Sequence, residues 1–389
     1  MISCGVWPLG VFALTNLDMK VNFIVTHSFL RTAKKTDPFY DPIIRAIEGI
    51  KGVDWNVFLW DKGVECGYPK ERLSDYRVLE LVGIWFYRIC RLFVWRIPLW
   101  KIYRFFGLLV RPLFAKKFAA DVVITQAGQF AEVFDGLLPK ARIVDIQHGV
   151  IYSRHGGYFD ETGCLLPIYQ TCTNREFWVY GQGYADCFFK HPDNAKDLQE
   201  RVRVIGDVVR AGEINRVEHV EKKLIVIASQ MTNDFSKETL IALKAIYENA
   251  FQQAQQYGKV VFRHHPRFND CIDLSDWKEK CSWVETNDTR PWSELFAEAI
   301  CTLTISSTTA FDAAAYGVPT ILLNGSAAGW GNMIVEEYAY PYPNMTVEQY
   351  CGMEESKRLE VCKKVRDWYE KFYTPFSEEN CLKLLEGEK

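Results

Sequence analysis

The stretch Ala299–Leu323, AICTLTISSTTAFDAAAYGVPTILL, contains in one run the pattern that decides the fold. Its apolar first part is typical of a strand buried on both faces. Four hydroxyl residues follow at 306–309, then small residues suited to a helix, and then Gly-Val-Pro before a second apolar run. This order predicts two parallel strands joined by a helix that covers the sheet.

The same alternation of apolar strands and helical patterns recurs along the chain, which favours parallel sheets covered on both faces. Helical patterns occupy Lys237–Tyr257 and Phe311–Tyr316. The strands predicted in the first half are Val21–Val25, Trp55–Leu59, Asp121–Thr125, Arg142–Ile146 and Phe177–Tyr180. Those predicted in the second half are Lys223–Ala228, Lys259–Arg263, Ser282–Glu285, Ala299–Ile305 and Thr320–Leu323.

The chain of 389 residues suits two domains of roughly 150–200 residues each. We therefore predict an α/β fold of two Rossmann-like domains whose parallel sheets face a central cleft. The first would span residues 1–210 and the second 211–365, with a helical tail at 366–389. The polar stretch 207–222 is the predicted join.

The composition excludes several classes of protein. With 48% hydrophobic and 24% charged residues, the chain is not disordered, collagen-like or a coiled coil. A net charge of −3 gives no general attraction to nucleic acid, so none is expected as a partner. The twelve cysteines come no closer together than Cys164 and Cys172, which predicts reduced thiols rather than a zinc cluster.

Residues 79–119 differ from the rest of the chain. Lysines and arginines recur there among Trp, Phe, Leu and Ile, and no acidic residue follows Glu80 within the segment. This is typical of an amphipathic helix lying in the headgroup plane of a membrane. The alternative is a helix pair packed on the protein's own sheet. At the amino end, residues 1–18 resemble a signal peptide only weakly, and Met19 is a possible natural start.

Ligands of open parallel sheets bind at the carboxyl ends of the strands, so the residues that follow each strand are candidates. Ser306, Ser307 and Thr308 follow the strand at 299–305 and precede a helix. Their hydroxyls, with the free N–H groups of a helix start, would bind a phosphate. Simple helix capping is the alternative.

Two further strand ends of the second half carry polar residues. Arg263, His264 and His265 end the strand at 259–263, and imidazole and guanidinium groups are suitable partners for a phosphate leaving group. The loop after the strand at 223–228 contains Gln230, Asp234 and Ser236. A carboxylate there would serve as nucleophile or general base, or would cap the helix at Lys237.

In the first half, His148 follows the strand at 142–146, and Gly149 permits a tight turn that would present it. It would take a proton from an acceptor hydroxyl, or would serve only as a structural hydrogen-bonding residue. Together these groups predict transfer from a phosphate-activated donor. No dinucleotide-binding glycine motif, P-loop or acidic metal motif is present, so we expect no cofactor and no metal.

The chain resembles GT-B glycosyltransferases of bacterial surface polysaccharide synthesis. The pairs His265-Pro266 and Ser306-Ser307 are similar to the HP and SS/ST motifs of sialyl-, polysialyl- and Kdo-transferases. In those families both motifs contact the phosphate and ribose of a CMP-sugar. CDP-glycerol polymerases have similar motifs, so the resemblance implies a cytidine nucleotide more firmly than a sugar.

Two further similarities imply catalytic roles. Residues 230–236, QMTNDFS, resemble the Q-x-x-x-D-x-S stretch of retaining β-Kdo transferases, which implies that Asp234 is the catalytic carboxylate. The sequence Gln147-His148-Gly149 is similar to the H-G pair of glycerophosphate polymerases, which implies that His148 is the base. A GT-B fold also implies that a helix near Glu354–Tyr373 crosses back onto the first domain.

The expectation is a metal-independent glycosyltransferase that moves Kdo, or a related ulosonic acid, from its CMP ester to a lipid-linked surface polysaccharide. It would work at the inner face of the bacterial cytoplasmic membrane, in peripheral contact with the lipid. The alternatives are a CDP-glycerol-type glycerophosphotransferase, another NDP-sugar transferase, a UDP-sugar 2-epimerase and a non-catalytic glycan-assembly protein.

Overall fold

The structure is a computed structural model, and it describes most of the chain between residues 18 and 387. The described ranges are 18–25, 30, 32, 34–93, 96–126, 130–194, 198–209, 222–277 and 290–387. The strand predicted at Ser282–Glu285 lies outside them, as do residues 1–17 and most of the predicted join.

The first half is built on a sheet of seven parallel strands in the order β3-β2-β1-β4-β5-β6-β7. Neighbouring residues of a strand enter different cores, as the alternation of side chains requires. On β1, for example, Phe23 belongs to the larger core and Ile24 to a second core on the opposite face. The strands are β1 Met19–Val25, β2 Val53–Leu59, β3 Leu73–Asp75, β4 Val122–Gln126, β5 Arg142–Ile146, β6 Arg175–Val179 and β7 Val202–Val204.

Helices cover both faces of this sheet, so the central strands β1, β4, β5 and β6 are mostly buried, whereas the edge strands β3 and β7 are only partly buried. They are α1 Asp41–Ile47, α2 Arg77–Phe93, α3 Leu99–Phe118, α4 Ala131–Leu137, α5 Pro167–Thr171 and α6 Gln182–Phe189. None of the helices in the described ranges is both long and apolar enough to cross a membrane.

The second half is built on a sheet of four parallel strands in the order β11-β10-β8-β9. The predicted α/β fold with two parallel sheets is confirmed. The strands are β8 Leu224–Ala228, β9 Lys259–Arg263, β10 Ala299–Thr304 and β11 Thr320–Leu322. The helices are α7 Lys237–Ala254, α8 Trp292–Glu298, α9 Thr309–Ala315, α10 Met333–Glu336 and α11 Val347–Cys351.

The last two helices, α12 Glu355–Phe372 and α13 Glu378–Glu386, connect the two halves. Within α12, the Trp368 ring stacks on Phe311 of α9 with a centroid distance of 4.5 Å. Phe372 of the same helix contacts the ring of Tyr184 in α6 at 5.2 Å. Helix α12 therefore packs on both halves, as the resemblance implied, and it runs unbroken through residue 365, where a boundary was predicted.

The end of α12 lies very close to Gly181, the residue that precedes α6. A Cβ atom on Gly181 would lie 2.5 Å from the backbone carbonyl carbon of Phe372. Only a residue without a Cβ fits at this distance, and backbone atoms of a packed helix cannot move aside cheaply. This contact sets how closely α12 approaches the carboxyl edge of the larger sheet.

We expect Gly181→Ala to destabilise the protein by about 1–3 kcal/mol, because the added methyl group forces α12 away from α6. Chemical denaturation measures the free energy of unfolding. The matched control is Gly156→Ala, since a Cβ atom there has no neighbour within 4 Å. Equal stability of the two variants would contradict the close-contact argument.

Candidate functional site

The carboxyl ends of β8 and β10 are joined by the side chain of Gln230. Its amide oxygen accepts a hydrogen bond from the backbone N–H of Ser306 at 2.7 Å and lies 3.4 Å from the Thr304 hydroxyl. The backbone N–H of Gln230 donates to the hydroxyl of Tyr247, a buried residue of α7, at 3.0 Å. The predicted residues Gln230 and Ser306 therefore lie together, and their loops are fixed relative to each other.

The hydroxyl loop after β10 is partly used by the fold. The Ser306 hydroxyl oxygen accepts from the N–H of Met333 at 3.1 Å, and that of Ser307 accepts from the N–H of Thr309 at 3.3 Å. Ser307 therefore bonds the first residue of α9, although the N-cap residue of that helix is Thr308. A hydroxyl that accepts one bond still has its proton to donate, so both side chains retain a donor. Thr308 is exposed and makes no capping bond.

His265 follows β9 and is held in one tautomer. Its Nδ1 atom accepts a hydrogen bond from the N–H of Arg267 at 3.1 Å, so the proton of the neutral ring is on Nε2. Partial burial lowers the pKa of His265, the charge of Arg267 lowers it further, and Asp234 acts in the opposite direction. Near neutral pH the ring is therefore uncharged and carries one N–H donor.

Asp234 joins the loops that follow β8 and β9. One carboxylate oxygen forms an ion pair with Arg267 at 2.7 Å and accepts a hydrogen bond from the Thr232 hydroxyl at 3.2 Å. The N–H of Asn233 donates to the carbonyl of Arg267 at 3.3 Å. The predicted carboxylate and the predicted histidine are thus brought into one cluster, and the Asp234 side chain stays 53% exposed.

Three predicted donor-binding residues have other partners. Ser236 is the N-cap of α7, where its hydroxyl oxygen accepts from the N–H of Thr239 at 3.2 Å. The Arg263 guanidinium donates to the carbonyl of Arg290 and lies 4.4 Å from the Trp292 ring. The His264 ring stacks on Phe268 with a centroid distance of 4.0 Å. Contact of these three with a phosphate stays a prediction.

In the first half, His148 lies at the carboxyl edge of the larger sheet, directly after β5. Gly149 has a φ of +78°, the left-handed conformation that the predicted tight turn requires. The side chain of Gln147 fixes the turn, because it donates to the Gly149 carbonyl at 2.7 Å and accepts from the N–H of Tyr180 at 2.8 Å. The His148 ring contacts Phe39 at 5.3 Å.

Asp37 is a candidate that the sequence reasoning missed. Its Oδ1 atom accepts from the N–H of Phe39 at 2.8 Å and from the amide of Gln126 at 2.9 Å. Its Oδ2 atom has no hydrogen-bond partner among the described residues, and burial raises the pKa of Asp37 to about 7. The available signal was the Thr36-Asp37-Pro38 turn, which lies too far beyond β1 to be taken as a strand end.

The loop after β5 also reaches the second half. Glu337, just after α10, accepts hydrogen bonds from the backbone N–H and the hydroxyl of Ser153 at 3.0 and 2.8 Å. Lys190 forms an ion pair with the same carboxylate at 3.1 Å. These bonds tie the His148 loop to the half that carries Gln230 and Ser306.

One group of side chains in the described ranges has the residue types and spacing to hold a metal ion. Cys164, His191 and Asp193 each offer one ligand atom, and these atoms lie within 4.8 Å of one another. This group could not be predicted from the sequence, because Cys164 and His191 are far apart in the chain. None of the three belongs to the strand-end cluster.

The packing of His264 makes the stability of the second half pH-dependent. Burial lowers the pKa of His264 from its ordinary value of 6.5, and Asp270 opposes this. As the pH falls through 6.5, the unfolded chain takes up the proton first, so the folded state loses stability.

We expect the free energy of unfolding of the natural protein to fall relative to that of His264→Phe between about pH 7 and about pH 5, by at most about 1.4 kcal/mol per pH unit. Urea denaturation at several pH values measures the difference. Above about pH 7.5 the difference should be constant, because the ring is uncharged in both states. A difference that does not change with pH would contradict the assignment.

Comparisons with known proteins place the chain by its fold. No protein-family model matches the sequence, and no curated protein is significantly similar to it. The UDP-GlcNAc 2-epimerase of Methanocaldococcus jannaschii superposes with a TM-score of 0.52 over 95% of this chain and 99% of its own, at 15% identity.

Two other structures superpose with lower scores. A variant of the wall teichoic acid polymerase TagF gives a TM-score of 0.49 at 13% identity, over 95% of this chain and 89% of its own. The S. aureus MnaA–UDP complex gives 0.46 at 11% identity, over 94% and 95%. Sequence identities this low support a similarity of fold and nothing more specific. Two parallel sheets arranged as in the epimerase give this chain a GT-B-like architecture.

Proposed function

We propose that the protein is a glycosyltransferase whose nucleotide-sugar donor binds at the carboxyl edge of the four-stranded sheet. The observation that carries this proposal is that two contacts link three strand-end loops, each of which carries hydrogen-bonding side chains. The Gln230–Ser306 hydrogen bond joins the loops after β8 and β10, and the Asp234–Arg267 ion pair joins those after β8 and β9.

The cluster has the chemistry that a phosphate leaving group needs. Ser306 and Ser307 keep hydroxyl donors, and the neutral ring of His265 offers Nε2–H. Arg267 has five N–H donors, and the ion pair with Asp234 leaves some of them for a ligand. Preorganised donors of this kind stabilise the negative charge that develops as a nucleotide leaves.

Asp234 is the proposed nucleophile, in line with the resemblance to retaining transferases. Its carboxylate attacks the anomeric carbon, and the bond from that carbon to the phosphate oxygen breaks as the nucleotide departs. His148 then takes the proton from the acceptor hydroxyl, whose oxygen displaces Asp234 from the sugar. Asp37 supports His148 indirectly, because it holds the turn that places Phe39 against the imidazole.

We propose CMP-Kdo as the donor, because the HP and serine motifs resemble those of CMP-sugar transferases. The proposed acceptor is a lipid-linked surface polysaccharide at the inner face of the bacterial cytoplasmic membrane. A UDP-sugar 2-epimerase remains the second candidate, because a protein of that activity has a similar fold. A glycerophosphotransferase that uses CDP-glycerol would need the same nucleotide contacts.

Two measurements test this proposal in turn. A thermal-shift panel of CMP, CDP, UDP and GDP should show stabilisation by the cytidine nucleotides, since a ligand that binds only the folded state raises Tm. Incubation with CMP-Kdo and a lipid-linked acceptor should release CMP and add mass to the acceptor. An epimerised sugar nucleotide formed without acceptor would identify the epimerase instead. No turnover with CMP-, UDP-, GDP- and dTDP-sugars would overturn the proposal.

We expect His265→Ala to weaken donor binding at least about tenfold, because a charge-assisted hydrogen bond to the phosphate is lost. Isothermal titration with CMP measures the change in Kd. The matched control is His155→Ala, since His155 makes the same local bond, accepting from the N–H of Gly157 at 3.2 Å. Equal Kd values for the two variants would remove His265 from the donor site.

We expect Asp234→Asn to lower kcat at least about 1000-fold while the donor Kd changes little, because the amide still accepts from Arg267 but is not a nucleophile. Asp276→Asn is the control, since Asp276 forms an ion pair with Lys244 in the same half. A raised Kd with nearly normal kcat would show that Asp234 only positions Arg267.

A further inference from the structure

We propose that the antiparallel pair formed by α2 and α3, which we name the α2–α3 hairpin, binds the surface of an anionic lipid bilayer through its outward apolar face. This inference deepens the proposed function, in which the acceptor is carried by a membrane lipid. Binding to lipid vesicles tests it without any turnover.

The outward face of the hairpin is apolar. In the described ranges, thirteen of the sixteen exposed large apolar side chains lie between residues 78 and 113. Leu92, Phe93 and Leu113 are each nearly four-fifths exposed, at 78%, 78% and 79%. The thirteen are Val78, Leu81, Val82, Trp85, Ile89, Leu92, Phe93, Ile97, Leu99, Phe105, Leu108, Leu109 and Leu113. A concentration of this kind marks a binding surface.

Helix α2 turns its apolar face outward, whereas an ordinary surface helix turns that face toward the core. Its exposed apolar residues recur at positions 78, 82, 85, 89 and 92, the spacing of one helical face. The inward side buries fully only Leu79 and Gly83. An amphipathic helix normally turns its apolar stripe to the core, so the packing of the domain does not account for this face.

Helix α3 cannot rotate to bury its outward face. A Cβ atom on Gly107 would lie 2.1 Å from the carbonyl oxygen of Val133 in α4, and one on Gly136 would lie 2.1 Å from that of Arg104. The two helices therefore touch backbone to backbone, and this contact fixes which side of α3 faces inward. Phe105, Leu108, Leu109 and Leu113 remain outside.

The charges of the hairpin are all of one sign beyond Glu80. No acidic residue occurs from 81 to 120. Among the described residues, Arg88, Lys101, Arg111 and Lys116 have no carboxylate within ion-pair distance. The guanidinium carbon of Arg88 lies 5.8 Å from the centre of the Trp85 ring, and the ammonium nitrogen of Lys101 lies 5.3 Å from that of Trp100, so these charges lie beside aromatic side chains of the hairpin.

A bilayer fits this surface better than a second copy of the chain. Two such faces pressed together would bring arginines and lysines against each other without a compensating carboxylate. An anionic bilayer offers hydrocarbon to the apolar side chains and phosphate groups to the cations. Since no described helix has the properties of a membrane span, the hairpin would lie at the headgroup level.

The test is cosedimentation of the full chain with vesicles of phosphatidylcholine alone or mixed with phosphatidylglycerol. We expect binding to the mixed vesicles that weakens as salt is added. The variant Leu92→Glu/Leu113→Glu should bind at least about tenfold more weakly, because two apolar contacts are replaced by charges that the lipid repels. The control Ile241→Glu/Leu359→Glu changes two exposed apolar residues elsewhere, 54% and 63% exposed, and should bind normally.

A second variant, Arg88→Gln/Arg111→Gln/Lys116→Gln, removes only charge and should lose about fivefold in binding per residue. The proposal is overturned if the full chain binds neither vesicle, or if the glutamate variant binds as well as its control. Sedimentation velocity tests the alternative partner. If the natural chain forms a dimer, the glutamate variant does not, and neither binds vesicles, the partner of the hairpin is a second copy of the chain. The hairpin variants should show the same thermal shift with CMP as the natural chain, which would show that weaker vesicle binding does not come from a damaged fold or nucleotide site.

Discussion

The candidate site depends on one hydrogen bond, from the backbone N–H of Ser306 to the side-chain oxygen of Gln230. Loops at the carboxyl ends of parallel strands have no ladder partner beyond the sheet, so each must be fixed by another group. Gln230 is itself fixed, because its N–H donates to Tyr247 in the core of the second half. These two hydrogen bonds connect Tyr247 in the core, through Gln230 in the loop after β8, to Ser306 in the loop after β10. They give Ser306 a defined position, which a preorganised anion site requires.

Local patterns predicted the regular elements of the structure well. The strands Arg142–Ile146 and Lys259–Arg263 and the start of α7 at Lys237 agree with the prediction, since apolar runs and a serine cap are signals within a few residues. The strands β3 and β7 were missed, because a strand of three residues has too few positions to show alternation. The strand at 282–285 lies outside the described ranges.

The parts of the site that the sequence did not predict are the non-local ones. Gln230 and Ser306 are 76 positions apart, and no local sequence pattern in either loop predicts a hydrogen bond to the other. His264 and His265 are adjacent and chemically alike, yet the first stacks on Phe268 and the second joins the Asp234 cluster. Which of two neighbouring histidines joins the Asp234 cluster follows from the packing of the folded loops, which a local sequence pattern does not contain.

The two proposed surfaces follow from a single physical rule. A fold satisfies most of its polar and apolar groups internally, and the groups that it leaves unsatisfied mark where another molecule belongs. At the strand ends these groups are the Ser306 hydroxyl and the Nε2–H of His265, which are not used in the hydrogen bonds that the two residues make with Gln230 and Arg267. On the α2–α3 hairpin they are apolar side chains that the backbone contact between α3 and α4 keeps out of the core. In our two proposals a nucleotide phosphate completes the first set and a lipid surface completes the second, and a transferase acting on a membrane-held acceptor would account for both.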